Sequence, residues 1–464
     1  MGTLPLVRRV DTKTKVLSLY DGLQDLDYSF LLNTGMQVKG LGHYSFAGAL
    51  PFMIIEYKDG RLKVNGEGEE REYNAQPLEE LRRFMKEYSV TPFNSKFPFN
   101  GGAVGFFSYD LGRYLERIPS SSVDDLQTPD YCLALYDVIA AFDHRENTTY
   151  IISNGLPAKG EKAIARARAR MDELETMLRA PKSRAAVTPA NGTPEGHFTR
   201  EEYMDAVQKV VDYIYAGDIF QANLSQRFSL AYQGDPWALF CRLHDINPAP
   251  FAAYLNFGDF KVISASPERF LKVDGPVVET RPIKGTRPRG ETPSQDEHFR
   301  DELWNSEKDR AELMMIVDLE RNDLGRVCKV GSVRVPELLR LEEYATVFHL
   351  VSTVMGELPG EKDCIDLLAA TFPGGSITGA PKIRAMEIIE ELEPVRRGIY
   401  TGSIGYLGFD GCADLNIVIR TIICKGGRLY FQVGGGITAD SDPAAEYEET
   451  LHKARALLSA LGLK

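Results

Sequence analysis

Residues 251–281 read FAAYLNFGDFKVISASPERFLKVDGPVVETR. Four strand-like runs lie in this stretch, at 251–257, 260–265, 269–273 and 277–281, and only two or three residues separate each from the next. Links that short suit hairpins, whereas a parallel crossover needs about a dozen residues or more. The stretch therefore predicts successive antiparallel strands.

Further strands are expected at 218–230, 402–409, 413–423 and 428–434, with helices near 235–244, 296–320, 363–370, 380–391 and 443–461. Thr199-x-x-Glu202 is a capping box. The helix it opens carries Tyr203, Val207, Val210, Val211 and Ile214 on one face, and Gly217 closes it. Toward the N-terminus, Pro51–Tyr57 and Tyr131–Asp137 read as strands, and helices are expected at about 77–88 and 156–180. Phe97–Leu111 is dense in glycine and aromatics, a pattern of closely packed strands. Ala180–Gly196 has the composition of a linker. The expected fold is α+β, with antiparallel β-sheets flanked by helices. Two regions are expected, 1–190 and 191–464.

The chain has 464 residues, is 43% apolar and carries a formal net charge of -12. An acidic chain with no basic cluster is a poor electrostatic match for nucleic acid. The N-terminus has no continuous apolar segment, and no stretch is long enough to span a bilayer, so a cytoplasmic protein is expected. Cys132, Cys241, Cys328, Cys364, Cys412 and Cys424 lie far apart, which favours free thiols over a disulfide framework or a zinc site.

The densest chemistry falls between residues 264 and 450. Asp309 and Glu312 share one helical face, as do Glu446 and Glu449. These are either solvated faces or two walls around a hard divalent cation such as magnesium. Gly434-Gly435-Gly436 follows the apparent strand Leu429–Val433, and is either a tight turn or a cradle for an anion. In Phe372–Lys382, Ser and Thr are placed to cap a helix beginning near Ala380, but the loop does not fit a nucleotide P-loop. Glu268 is either a surface partner of Arg269 or a desolvated general acid. Lys284 is either a solvated charge or a nucleophile activated by burial. Arg420, at the end of the apolar run Leu415–Ile419, forms a structural ion pair or clamps a carboxylate. His349, alone in an apolar stretch, reads as a core histidine.

Six ordered blocks resemble the signatures of the chorismate-utilising enzymes: Ser266–Phe270, Arg281–Thr286, Ile316–Gly325, Pro373–Lys382, Gly402–Tyr406 and Gly434–Asp440. Leu31–Gly35 and Phe99–Arg113 extend the likeness more loosely. The resemblance implies an anthranilate-synthase-component-I-like fold and a magnesium-dependent enzyme acting on chorismate. It implies that Glu312 and Glu449 ligate magnesium, with Glu446 close by. Gly285, Thr286, His349, Tyr400, Arg420, Gly434, Gly435 and Gly436 would contact the substrate, and Glu268 would be the general acid. Members that make anthranilate usually carry alanine between the positions of Ile283 and Gly285. Members that make 4-amino-4-deoxychorismate, the precursor of 4-aminobenzoate and folate, carry lysine there, and this chain has Lys284. None of the six cysteines sits in the glycine-rich elbow of a glutamine amidotransferase, so a separate amidotransferase subunit in a heterodimer is expected to supply ammonia. Thr34, Pro250, Phe251 and Ala252 fall where anthranilate-forming members bind tryptophan, although Thr34 replaces their usual serine. The competing expectations are anthranilate formation and a catalytically silent regulatory homologue.

Overall fold

The computed structural model describes residues 5–10, 15–36, 41–66, 68–92, 96–180, 182–344 and 347–463. Two sheets of twelve strands each carry the fold. The first runs, from edge to edge, Leu6–Val10, Thr148–Ser153, Val138–Asp143, Tyr44–Gly48, Ser29–Asn33, Phe251–Asn256, Phe260–Ser266, Thr421–Lys425, Arg428–Ile437, Gln221–Ala231 and Glu195–Gly196. The second runs Ile283–Pro288, Val347–Glu357, Val277–Arg281, Arg269–Asp274, Ala413–Asn416, Ser403–Gly408, Gly102–Phe107, Tyr131–Tyr136, Met53–Lys58, Arg61–Gly66 and Glu69–Asn74. The two-residue strand Gly379–Ala380 and the ten-residue strand Arg334–Glu343 complete the two sheets.

The sheets pack face to face. Phe30, Phe46, Ala253 and Val262 of the first share one buried cluster with Val104, Phe106, Cys132 and Tyr406 of the second. A second cluster lies between the first sheet and the helices Glu161–Arg179, Pro236–Ile246 and Pro443–Ala460. A third lies between the second sheet and the helices Pro77–Glu87, Glu307–Gly325 and Cys364–Thr371. Each sheet is therefore buried on both faces, which explains why so many strands read as unbroken apolar runs. The strands Gly102–Phe107 and Tyr131–Tyr136 approach so closely that a Cβ at Gly105 would lie 1.9 Å from the Cys132 carbonyl oxygen.

Both sheets contain strands from either side of residue 190. The irregular segment after Arg179 is a connection between two parts of shared sheets. The Thr199 capping box forms as expected, and Tyr203, Val207, Val210 and Val211 are buried. The helix expected at 156–180 begins at Glu161. That expected at 296–320 is two helices, Pro293–Asn305 and Glu307–Gly325, parted at Ser306, whose hydroxyl accepts from Asp309 N at 3.2 Å and caps the second.

Two departures concern function. The strand expected at 413–423 is two strands in different sheets, and Arg420 lies in the link between them with φ of +52°. Its carbonyl still accepts from Ala265 N at 3.1 Å. Gly434–Gly436 is neither a turn nor a loop. The triplet lies inside the Arg428–Ile437 strand, opposite Ser225, Leu224 and Asn223.

Candidate active site

The stretch 251–281 holds four antiparallel strands, but the first two belong to one sheet and the last two to the other. The chain crosses between sheets at Ser266–Glu268, and crosses back at 417–420. These crossings are bonded together: Ile417 N donates to the Glu268 carbonyl at 3.0 Å, and the Ser266 hydroxyl donates to the Ile417 carbonyl. Glu268 and Ile417 are thus brought together by topology, although they are 149 positions apart in sequence, and Arg420 follows three residues after Ile417.

Glu268 is 4% exposed, and Ile283 N donates to its Oε1 at 3.4 Å. Burial raises its carboxyl to about 7, against the opposing effects of the Ser376 hydroxyl and Lys284. A carboxyl at this value holds a proton for much of the time near neutrality. Ser376 comes from the Pro373–Lys382 loop. Neither it nor Thr378 caps the next helix as expected. Thr378 Oγ1 donates to the Gly374 carbonyl at 2.9 Å, and the helix starts at Lys382 without a side-chain cap.

Lys284 lies on the Ile283–Pro288 strand. The register slips between Lys284, opposite Leu350, and Thr286, opposite His349. Gly285 is the extra residue, at φ of +76°, and a Cβ there would lie 2.8 Å from Leu303 Cδ1. Successive residues of the facing strand point to opposite faces, so this bulge parts the Lys284 side chain from that of Thr286. The Lys284 amine reaches the glycine triplet, where a Cβ at Gly436 would lie 3.3 Å from Nζ. Burial lowers the basicity of the amine, the carboxylates of Glu312, Glu268 and Glu449 oppose that, and Lys453 reinforces it.

The two acidic pairs separate in role. Asp309 is bound by Arg287 Nη2 at 3.1 Å. Glu312 has no hydrogen bond or ion pair among the described residues, and burial raises its carboxyl, with Lys284 opposing. Glu446 is buried and accepts from the Ser441 hydroxyl at 2.6 Å. Its neighbour Glu449 is held below its ordinary range by Lys453, at 2.7 Å. Both carboxylates lie over Gly435, where a Cβ would be 3.1 Å from Glu446 Oε2 and 3.6 Å from Glu449 Oε1. Among the described residues no three His, Cys, Asp or Glu side chains form a preformed cation cage.

Arg420 is, like Lys284, a cation of the site without an ion pair among the described residues. No carboxylate pairs with its guanidinium among the described residues, and burial lowers its basicity, opposed only by the charge Tyr400 would carry. Tyr400 is buried beside it, and burial raises its hydroxyl strongly. His349 is buried too. Burial and the neighbouring Arg420 charge push its imidazole down to about 3, so the ring is neutral, and Nδ1 meets the Thr286 hydroxyl at 2.9 Å.

Several residues of this site escaped the sequence reading. Gln221 is buried, its Oε1 has no hydrogen-bond partner among the described residues, and its Nε2 would lie 1.9 Å from a Cβ at Gly436. Nothing in its sequence setting marked it. Lys453 donates to the Gly434 carbonyl at 2.9 Å, and its spacing of four from Glu449 was a readable signal. Glu320 is buried on the helix that carries Glu312 and accepts from the Thr280 hydroxyl at 2.9 Å.

Thr34, Pro250, Phe251 and Ala252 lie elsewhere. They line a separate cavity of about 460 Å³, bounded also by His43, Tyr44, Tyr406 and Asn416. No helix among the described residues is long and apolar enough to cross a membrane.

The family model for chorismate binding enzymes matches residues 47–459. Aminodeoxychorismate synthase component 1 of Bacillus subtilis (strain 168) is 44% identical over 427 residues, covering 91% of this chain and 90% of that protein. Anthranilate synthase component 1 of Thermus thermophilus is 42% identical over 454 residues, covering 97% and 96%. The crystal structure of anthranilate synthase component I from Streptococcus pneumoniae TIGR4 superposes with a TM-score of 0.81 at 34% identity, covering 92% of this chain and 93% of that one.

Proposed function

This chain belongs to the chorismate-binding enzymes, and we propose that it converts chorismate and ammonia to 4-amino-4-deoxychorismate and water. The observation that carries this reading is the position of the Lys284 amine, lodged against Gly436 among the carboxylates of Glu268, Glu312 and Glu449. An ammonium in bulk water is no nucleophile, whereas desolvation that lowers the basicity of a lysine raises its share of free amine.

In this reading Lys284 Nζ attacks C2 of chorismate, both ring double bonds shift by one position, and the bond from C4 to its hydroxyl breaks. Glu268 gives its proton to the departing oxygen, which leaves as water. Ammonia then bonds to C4, both double bonds shift back, and Lys284 is released from C2. Glu268 recovers the proton that the new amine sheds. Arg420, without a carboxylate of its own, grips a substrate carboxylate, and Tyr400 and neutral His349 line the ring. Thr286, Gly285 and the backbone of Gly434, Gly435 and Gly436 form the remaining wall.

Glu312, Glu446 and Glu449 would hold a magnesium ion. The donor set fits in kind, being hard carboxylate oxygens from two helices, with Glu312 making no hydrogen bond or ion pair among the described residues. When bound, the ion would supply positive charge to the ring carboxylate.

Ammonia is proposed to come from a glutamine amidotransferase partner. Burial raises the thiols of all six cysteines, so none is poised as the thiolate that glutamine hydrolysis requires. Tryptophan is the proposed occupant of the cavity at Thr34, Pro250, Phe251 and Ala252. Equilibrium dialysis that retained no tryptophan would remove that part.

The deciding experiment is product identification with chorismate, magnesium and ammonium. The expected product yields 4-aminobenzoate only after a lyase is added. Anthranilate formed without the lyase would favour the other reaction of the family, and no turnover would favour a silent homologue. Lys284→Ala should retain chorismate binding but lose amination by about a hundredfold or more. A variant at full rate would end the covalent role.

A further inference from the structure

We infer that Arg397 is a positioning residue, whose guanidinium sets three walls of the chorismate site at once. It is 3% exposed and lies behind the site, stacked 4.7 Å over the Tyr109 ring. Its five donors are divided among four segments of chain.

One edge binds Glu393 in a fork, with Nε at 2.9 Å and Nη2 at 2.7 Å from the two carboxylate oxygens. Nη1 donates to the Ile377 carbonyl at 3.0 Å and to Thr401 Oγ1 at 3.3 Å. Nη2 also donates to the Asn223 carbonyl. Each acceptor adjoins a working part. Ile377 follows Ser376, whose hydroxyl reaches Glu268. Thr401 follows Tyr400. Asn223 pairs with Gly436, and its side chain bonds Tyr400. Glu393 extends the link by accepting from Ser225 N at 2.9 Å and Ser225 Oγ at 2.7 Å, and Ser225 pairs with Gly434.

Simple support of the fold would not need this division. A buried ion pair contributes little net stability against an apolar replacement, so fold support alone accounts poorly for it. The planar fork of arginine fixes directions as well as charge, and lysine cannot reproduce them. Arg397→Lys keeps the charge beside Glu393 but cannot reach the Ile377, Asn223 and Thr401 oxygens together. The general acid, the tyrosine and the glycine strand then lose their common reference.

The inference rests on chorismate as the ligand of this site, but not on which product forms. Chorismate affinity is therefore measured by calorimetry with magnesium and without ammonia, on Arg397→Lys and Arg397→Gln, with thermal unfolding in parallel. The expected result is a folded Arg397→Lys protein that binds chorismate about tenfold more weakly, as for loss of one or two charged hydrogen bonds. Should Arg397→Gln unfold, Thr401→Val removes one bond alone and should weaken binding by a smaller factor. A folded Arg397→Lys protein with wild-type chorismate affinity overturns the positioning role. A wild-type protein that binds chorismate but forms anthranilate refutes only the proposed product.

Discussion

Glu268→Gln is predicted to stabilise the protein at alkaline pH while disabling it. Glu268 is almost wholly buried, and its carboxyl is raised from an ordinary value of 4.5 to about 7. Ionising it within the fold therefore costs about 3 kcal/mol more than in the open chain, at ~1.36 kcal/mol per pH unit. Below pH 4.5 both states hold the proton and nothing is lost. Between 4.5 and about 7 the open chain gives up its proton while the fold keeps it, so stability falls as pH rises. Above about 7 the full penalty stands. A carboxamide has no proton to lose, so the variant should escape this slope.

Urea unfolding of wild type and Glu268→Gln at pH 4 to 8 measures it. The difference between them should grow across that range by about 3 kcal/mol, a large share of a typical 5–15 kcal/mol stability. Turnover of the variant should fall by about 10²–10⁴, the usual contribution of a positioned general acid. Parallel pH profiles of stability for the two proteins would refute the reasoning, because the carboxyl would then be hydrated in the fold. Loss of the slope with turnover intact would leave the pKa and remove the catalytic role.

Two other predictions follow from the charges of the site. Arg420→Met should leave stability unchanged or higher, since no carboxylate partner is abandoned, while chorismate binding weakens by about 2–3 kcal/mol. Calorimetry and urea unfolding check the two halves, and unaltered chorismate affinity would show that the guanidinium grips nothing. Chelation of magnesium should abolish turnover, and Glu312→Gln should raise the magnesium concentration needed to restore it. Full activity in excess chelator would end the metal assignment.

Much of the fold was legible because local rules agreed with tertiary demands. The hairpins at 251–266 and 269–281, the Thr199 capping box and the acidic pair Glu446–Glu449 each follow from periodicity or a cap, and each appears in the structure, whereas the equally short link at 266–268 crosses between sheets. The misreadings share a cause: period and composition do not reveal which layer receives a segment. Residues 413–423 read as one strand because both sheets bury what they receive, so crossing between them leaves no polar break. Asp309 has the same spacing to Glu312 as Glu446 has to Glu449, yet Arg287 takes it out of the site. By composition alone the glycine triplet suits either a tight turn or an anion cradle. In the strand it serves instead as space, filled by Gln221, Lys284, Glu446 and Glu449 from neighbouring elements.

The same distinction explains why Lys284 was readable as a motif position but not as a chemical group. A regular strand would set Lys284 and Thr286 on one face, two residues apart. The bulge at Gly285 parts them, directing the amine toward Gly436 while the Thr286 hydroxyl meets His349. Glycine is required there because its φ is +76° and because a Cβ would strike Leu303 and Asp309. The bulge also sets the two residues opposite adjacent positions of the Val347–Glu357 strand, one of them His349. The orientation of the lysine thus depends on a neighbour without a side chain, on a facing strand that sequence periodicity did not reveal, and on helices that leave room for neither to shift. Chemistry at this position is a property of that packing as much as of the lysine itself.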